Sequence, residues 1–188
     1  MAAVINRGTT EAGIIYTPGR AVADANGILV PQKDILVITE RDKGTYLSGQ
    51  RVILGRGPRS LREHAQIAFA VYRDDAQYIP ALAQGVPCVI ARKNSGSDYT
   101  WMLQGKVDTT FYSEGAGKSP PWDHAAGILA IQEAGGYAAL PYGDTKGGER
   151  YNPLRCYDRL LVATSPALFH DVHRHVKERA PHLAQPRP

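Results

Sequence analysis

Asp123 follows Pro120-Pro121-Trp122 and precedes His124-Ala125-Ala126-Gly127, a run that closes at Glu133-Ala134-Gly135-Gly136. The prolines end any preceding helix, so Asp123 falls at the N-cap or first turn of a new one. A carboxylate there accepts backbone N–H bonds and is favoured by the helix dipole. Spacing alone therefore reads Asp123 as a cap. Three other groups have residue types suited to chemistry. His170 and His173 sit three apart on one helical stretch with His175 beside them, a spacing that could reach one metal ion. Asp171 is their only evident acidic neighbour in sequence, and basic side chains near a helix C-terminus suit the dipole without a metal. Arg56, Arg59 and Arg62 lie among glycines and could grip a phosphate. No glycine-rich loop leads into a helix there, so a solvated basic loop is the simpler reading. Ser60 lacks a Gly-x-Ser-x-Gly elbow, which leaves a serine hydrolase unsupported. Asp144-Thr145, inside Gly143–Gly148, reads as a turn from its composition.

The elements that must position these residues follow from periodicity and breakers. Ala2–Ile5 and Gly13–Tyr16 read as strands around a turn at Asn6–Thr10. Asp34–Glu40 and Gly44–Leu54 read as further strands, joined at Arg41–Gly44. Beyond Gly55-Arg56-Gly57-Pro58 strands alternate with helices. Strands are expected at Ile67–Tyr72, Pro87–Ala91, Val107–Tyr112, Tyr137–Leu140 and Leu160–Ala163. Helices are expected at Asp74–Gln84, Ser97–Gln104, Asp123–Ala134 and Pro166–Lys177. The helix after Asp123 holds Ala125, Ala126 and Gly127 among Ile128, Leu129 and Ile131. A helix that is apolar all round belongs between layers, and its small residues permit close approach. The fold class is thus a layered α/β (α+β) arrangement. Residues 1–57 form an antiparallel β domain remnant, 58–178 an α/β domain, and 179–188 a polar, proline-rich tail expected to fray.

Composition narrows the class further. The chain has 188 residues, 43% hydrophobic and 21% charged, enough apolar content to fold around a core. Its apolar runs are too short to span a bilayer, and the N-terminal residues do not read as a signal peptide. Cys88 and Cys156 are too few for a disulfide framework and do not form a Cys-x-x-Cys pair. Buried thiols in a reducing cytoplasm are the expected state. The net charge of +4 draws heavily on Arg174, Lys177, Arg179 and Arg187 in the tail. Without a nucleic-acid module, that balance does not argue for nucleic-acid binding.

Trp122-Asp123-His124-Ala125-Ala126-Gly127 with its trailing Glu133-Ala134-Gly135-Gly136 resembles the C-terminal signature of the inositol monophosphatase family. Gly13–Pro18, Tyr46–Arg51, Ser95–Tyr99 and Gln104–Asp108 are similar to further stretches of that family, so the resemblance covers roughly residues 3–175. It implies the C-terminal two-thirds of the family's fold and a Mg²⁺-dependent phosphomonoesterase. The implied substrate is inositol phosphate or a similar small phosphorylated polyol or sugar. Fructose bisphosphate and 3′-phosphoadenosine phosphate are the rivals within the superfamily. It further implies a cytoplasmic homodimer, with Asp123 as metal ligand and catalytic carboxylate. Ser97, Asp98, Glu114 and Lys118 would line the substrate pocket.

The family's Glu-Glu pair and Asp-Pro-x-Asp-Gly-Thr motif have no counterpart here, so relative to the family the chain reads as N-terminally truncated. Mg²⁺ demands octahedral oxygen ligation, and Asp123 alone is a poor site for it. The 188 residues by themselves are expected to be a weak or inactive phosphatase. A truncated reading frame, a half-enzyme completed by another chain, and a non-catalytic homologue serving as a binding or assembly module all fit. The first strand is expected to lack neighbours, leaving exposed edges that favour dimerisation.

Overall fold

In the computed structural model the described residues are 1–19, 21–23, 29–31, 33–55, 57–58, 60–63, 66–71, 73–86, 88–91, 95–113, 121–142, 151–154 and 157–185. Strand β1 (Ala2–Asn6) turns through Arg7-Gly8 into β2 (Thr9–Thr17), and β3 (Ala21–Ala23) pairs with β4 (Leu29–Pro31) as a separate ribbon. Then come β5 (Ile35–Glu40), β6 (Gly44–Leu47) and β7 (Gln50–Val52). The first sheet is antiparallel in the order β1-β2-β5-β6-β7. Within Gly44–Leu54, β6 and β7 form a hairpin. Ser48 and Gly49 both take positive φ, 48° and 85°, the signature of a tight two-residue hairpin turn.

The second sheet is built from β8 (Gln66–Val71), β9 (Cys88–Ala91), β10 (Thr109–Ser113), β11 (Tyr137–Ala139) and β12 (Arg159–Ala163), in the order β11-β12-β10-β8-β9. β9, β8 and β10 run parallel, and β12 is antiparallel to β10 and β11. Four helices complete the chain: α1 (Ile79–Ala83), α2 (Ser95–Leu103), α3 (Ala125–Glu133) and α4 (Pro166–Arg179). The expected helix at Asp74–Gln84 is a 3-10 turn over Arg73–Tyr78 followed by the short α1. Pro80 accounts for the break. Its ring disfavours α geometry at the preceding residue, and it can donate no N–H, so it is tolerated only in the first turn of α1.

α2 and α3 lie between the two sheets, and α1 and α4 cover the far face of the second. One buried apolar cluster joins Ile15 and Val37 of the first sheet, Tyr99 and Met102 of α2, Ile128 and Ile131 of α3, and Leu160 and Val162 of β12. The segments before and after residue 57 therefore share a core. The other cluster sits beneath α4 and takes Ile67, Phe111, Leu161 and Ala163 from the opposite face of the second sheet. β10 and β12 are buried along their whole length, as strands covered on both faces must be. Every residue from Ala125 to Ile131 is buried, which answers the all-round apolar pattern of that helix. Among the described residues no helix is long and apolar enough to cross a membrane.

The tail departs from expectation through residue 185. Pro181–Ala184 form a 3-10 turn, and Leu183 and Ala184 are buried in the cluster beneath α4. Arg159 also donates from Nη1 to the carbonyl of Gln185. Two apolar side chains and one charged donor hold a segment whose composition reads as frayed.

Candidate functional site

α3 is placed by its small residues. A Cβ built on Gly13 of β2 would lie 2.9 Å from Ala126 Cα, so glycine is what lets the first sheet reach α3. On another side of the helix, a Cβ on Gly127 would come 2.2–2.5 Å from the Tyr99 ring. The Ala126-Gly127 pair is thus the contact surface for two neighbours at once. Polar bonds fix the remaining freedom. Thr45 Oγ1 donates to the Ala130 carbonyl at 2.7 Å, the Leu54 N–H to the Ala134 carbonyl at 2.6 Å, and the Gly44 N–H to Glu133 Oε2 at 3.2 Å. Thr17 and Thr100 hydroxyls meet at 3.2 Å, tying β2 to α2.

Asp123 closes the 3-10 turn Pro121–Asp123 ahead of α3 and is half-buried. The N-cap position of α3 belongs to His124, whose side chain makes no capping bond. The capping role that spacing gave Asp123 is therefore not the one it fills. Trp122, 68% exposed, stands beside it at the surface. His124 turns inward. Its Nδ1 meets the Tyr99 hydroxyl at 2.7 Å. The imidazole packs edge-on against Tyr112 and Tyr99, with ring centroids 4.8 and 5.9 Å away. Burial lowers the His124 pKa to about 4, so the imidazole is neutral at pH 7. Burial also raises the Tyr99 and Tyr112 phenols well above their ordinary value, helped by neighbouring charge. Asp98 is wholly buried in the first turn of α2. The charges of Asp98 and Asp123 both act on Tyr99, so the fold brings α2 and the start of α3 around one phenol.

Of the residues the sequence singled out, Asp123, Ser97 and Asp98 are described, with Ser97 half-buried on α2. Glu114 and Lys118 lie outside the described residues, as do Arg56, Arg59, Asp144 and Thr145. The three histidines of α4 are engaged separately. His173 Nε2 donates to the Pro141 carbonyl at 3.3 Å, His175 Nε2 to the Leu82 carbonyl at 2.8 Å, and His170 packs against Tyr137 and Phe169. Carbonyl bonds and ring packing replace the helix dipole as their explanation. The Tyr99–His124 pair was not anticipated. Its partners are 25 residues apart, and the one hint in sequence was the run of small residues Ala125-Ala126-Gly127, which permits a close neighbour.

Two more features complete the polar inventory. At the C-terminal ends of β8 and β10, where parallel sheets often bind ligands, Ser113 donates to Asp75. Arg159 lies 3.9 Å from Asp75 and 3.6 Å from Asp158, which accepts from Tyr142. These groups therefore pair with one another. A cavity of about 490 Å³ opens between the β1–β2 turn, α3, Tyr151–Pro153 and Tyr157. Arg41, the one cation among its described lining residues, already donates to the Thr10 carbonyl and pairs with Glu11.

Mg²⁺ would need several oxygen ligands gathered around Asp123. Among the described residues no three of His, Cys, Asp or Glu are grouped to hold a metal ion. Asp123 and its described neighbours therefore do not make a Mg²⁺ site by themselves.

The sequence model of the inositol monophosphatase family matches residues 1–180. Among curated proteins no relative is matched. The similar solved structures include three of this family's fold. An IMPase from Thermotoga maritima is 19% identical with a TM-score of 0.69, over 96% of this chain and 61% of that one. The extragenic suppressor protein SuhB from Bartonella henselae is 19% identical with a TM-score of 0.69, over 94% and 61%. Inositol monophosphatase II from Staphylococcus aureus is 15% identical with a TM-score of 0.68, over 96% and 61%. The chain spans about three-fifths of the length of these structures. At such identities they speak for the fold, and the fold agrees with the layered sheets and helices above. With the match running through almost every element, the chain belongs to the inositol monophosphatase family.

Proposed function

We propose that this chain forms part of a phosphomonoesterase of the inositol monophosphatase type. Its substrate would be inositol phosphate or a similar small phosphorylated sugar or polyol. The observation that carries the reading is the placement of Asp123. Its carboxylate sits at the start of a helix wedged between two sheets, outside the cap position and half-open to solvent. Close packing at Gly13 and Gly127 and the buried Tyr99–His124 bond leave that helix little freedom, and a fixed carboxylate is what a reaction site requires. Family membership supports a small phosphate ester as substrate. Ser97 and Asp98 on α2, with Glu114 and Lys118, are the proposed substrate-side residues.

Because Asp123 and its described neighbours make no Mg²⁺ site, no hydrolytic step is derived from them. In this reading further carboxylates join Asp123 before catalysis occurs. A second reading rests on the same observation: a binding or assembly module that keeps the fold without turnover. Complementation separates the two. The chain is coexpressed with a polypeptide carrying a Glu-Glu pair and an Asp-Pro-x-Asp-Gly-Thr motif, and phosphate release from myo-inositol 1-phosphate is followed with Mg²⁺. Release is expected from the pair, and Asp123→Asn is expected to lower it at least about 100-fold, beyond the loss typical of outer-shell changes at metal sites. Undiminished release by the variant would remove Asp123 from the chemistry. A folded pair with no release would favour the binding module.

A further inference from the structure

Arginines that lie far apart in the sequence line one cavity. Its volume is about 440 Å³, and it opens between Ser60–Arg62, Gln84-Gly85 and the later turns of α4. α1 and α4 cover the far face of the second sheet, so the cavity lies across that sheet from α2 and α3. In sequence Arg62 stands with Arg56 and Arg59, which are outside the described residues. The fold sets it instead beside Arg174 and Arg179 of α4. Both elements are held firmly. The Glu63 N–H closes the turn on the Ser60 carbonyl at 3.2 Å, and Leu61 is buried in the cluster beneath α4. Asp171 ties the turn to the helix. Its Oδ2 accepts the Leu61 N–H at 2.8 Å, and its Oδ1 accepts from Arg174 Nη2. Arg179 Nη1 donates to Gln84 Oε1 at 2.6 Å. Asp171 and Gln84 thus orient two guanidinium groups, each through one nitrogen, and leave the other N–H donors of each fork for a ligand. Arg62 is exposed, and none of the described residues bonds or pairs with its side chain.

We propose that this cavity binds a phosphoryl group, carried by a small molecule or free as inorganic phosphate. The helix dipole explains a cation in the last turn of α4, where Arg179 stands. It does not explain Arg174, more than a turn earlier, or Arg62, which comes from another element. Three planar forks from two elements suit a tetrahedral dianion with three acceptor oxygens. A carboxylate offers fewer oxygens and less charge. Of the two acids at the cavity, Asp171 is taken up in positioning, and Glu178 forms no ion pair among the described residues. The volume falls within the roughly 300–1,000 Å³ of small-molecule sites.

Calorimetric titration of the 188-residue chain tests this, in metal-free buffer at low salt. The probes are inorganic phosphate and ribose 5-phosphate, with acetate for comparison. Saturable phosphate binding is expected at roughly millimolar strength or tighter. Arg62→Gln and Arg174→Gln are each expected to weaken it about tenfold, as loss of a charge-assisted hydrogen bond does. Arg62→Lys keeps the charge without the fork and is expected to fall between wild type and Arg62→Gln. Glu178→Gln removes a like charge and is expected to tighten binding about threefold. Lys43→Gln removes a positive charge at the β5–β6 turn and is expected to change nothing. Ribose 5-phosphate bound as tightly as inorganic phosphate marks a site open to phosphate esters. Preference for inorganic phosphate marks a site for the free ion, and either result supports the proposal. No saturable binding of either probe overturns it. So does acetate bound as tightly as phosphate, binding that survives both arginine-to-glutamine substitutions, or an equal loss in Lys43→Gln.

Discussion

Gly127→Ala is expected to destabilise the fold by about 2 kcal/mol, and Gly127→Val to prevent folding. Alanine is ordinarily the better helix residue, by about 1 kcal/mol over glycine, so propensity alone predicts the opposite sign. Packing decides. The added Cβ would lie 2.2 Å from Tyr99 Cδ2 and 2.4 Å from Cγ, far inside the roughly 3.5–4.0 Å of a favourable carbon contact. The obstructing atoms are at the root of the ring, so a small rotation does not clear them. Retreat is blocked as well. Tyr99 is fully buried, its hydroxyl is bonded to His124, and Tyr112 stands at 5.8 Å between ring centroids. Overpacking of this kind typically costs about 1–3 kcal/mol, occasionally more, and the glycine-to-alanine gain offsets only part of it. Urea midpoints measure the difference. In a Tyr99→Leu background the penalty of Gly127→Ala is expected to shrink markedly, the sign of direct coupling. An alanine variant as stable as the wild type would show that the helix can shift, and the argument from Gly127 would fail.

The second large effect is on pH dependence. His124 titrates at about 4 in the fold against 6.5 when unperturbed, because burial disfavours the imidazolium. Between those values the unfolded chain binds a proton that the folded chain refuses. Stability from this group is therefore complete above about pH 6.5 and is lost as the pH falls towards 4. The difference amounts to about 3 kcal/mol. His173, lowered chiefly by burial, acts in the same direction. Urea unfolding in metal-free buffer from pH 7 to 4 should show midpoints falling steadily. In His124→Gln the slope should lose most of its magnitude and keep only what His173 and the carboxylates supply. A variant with the wild-type slope would mean that His124 is not the group responsible.

The layered fold was legible because its signals are local. Short apolar runs marked β2 and β5, glycines and prolines marked the turns, and the apolar Ala125–Ile131 run announced a helix buried on all sides. Local signals also misled at definite points. Asp74–Gln84 has helical spacing, but Pro80 breaks it. The tail has a loop's composition, yet Leu183 and Ala184 reach the core through contacts that no nearby residue reports. The site was less legible than the fold. Asp123 was found by motif, since spacing alone read it as a cap. Only the three-dimensional arrangement gave the cap position to His124 and turned that imidazole towards Tyr99. Ile14–Tyr16 and Ile35–Ile38 are apolar at every position, so alternation does not separate their inner face from their outer one. Which face meets the helices could not be known before the layers were in place.

The central claim is that the described residues hold the family's fold and place Asp123 ahead of α3, without grouping a complete metal site around it. Calorimetric titration of the purified chain with Mg²⁺ tests it most directly. The expected result is no saturable binding at micromolar strength. Saturable micromolar binding that Asp123→Asn abolishes would contradict it, because Asp123 would then already have its partner ligands within this chain.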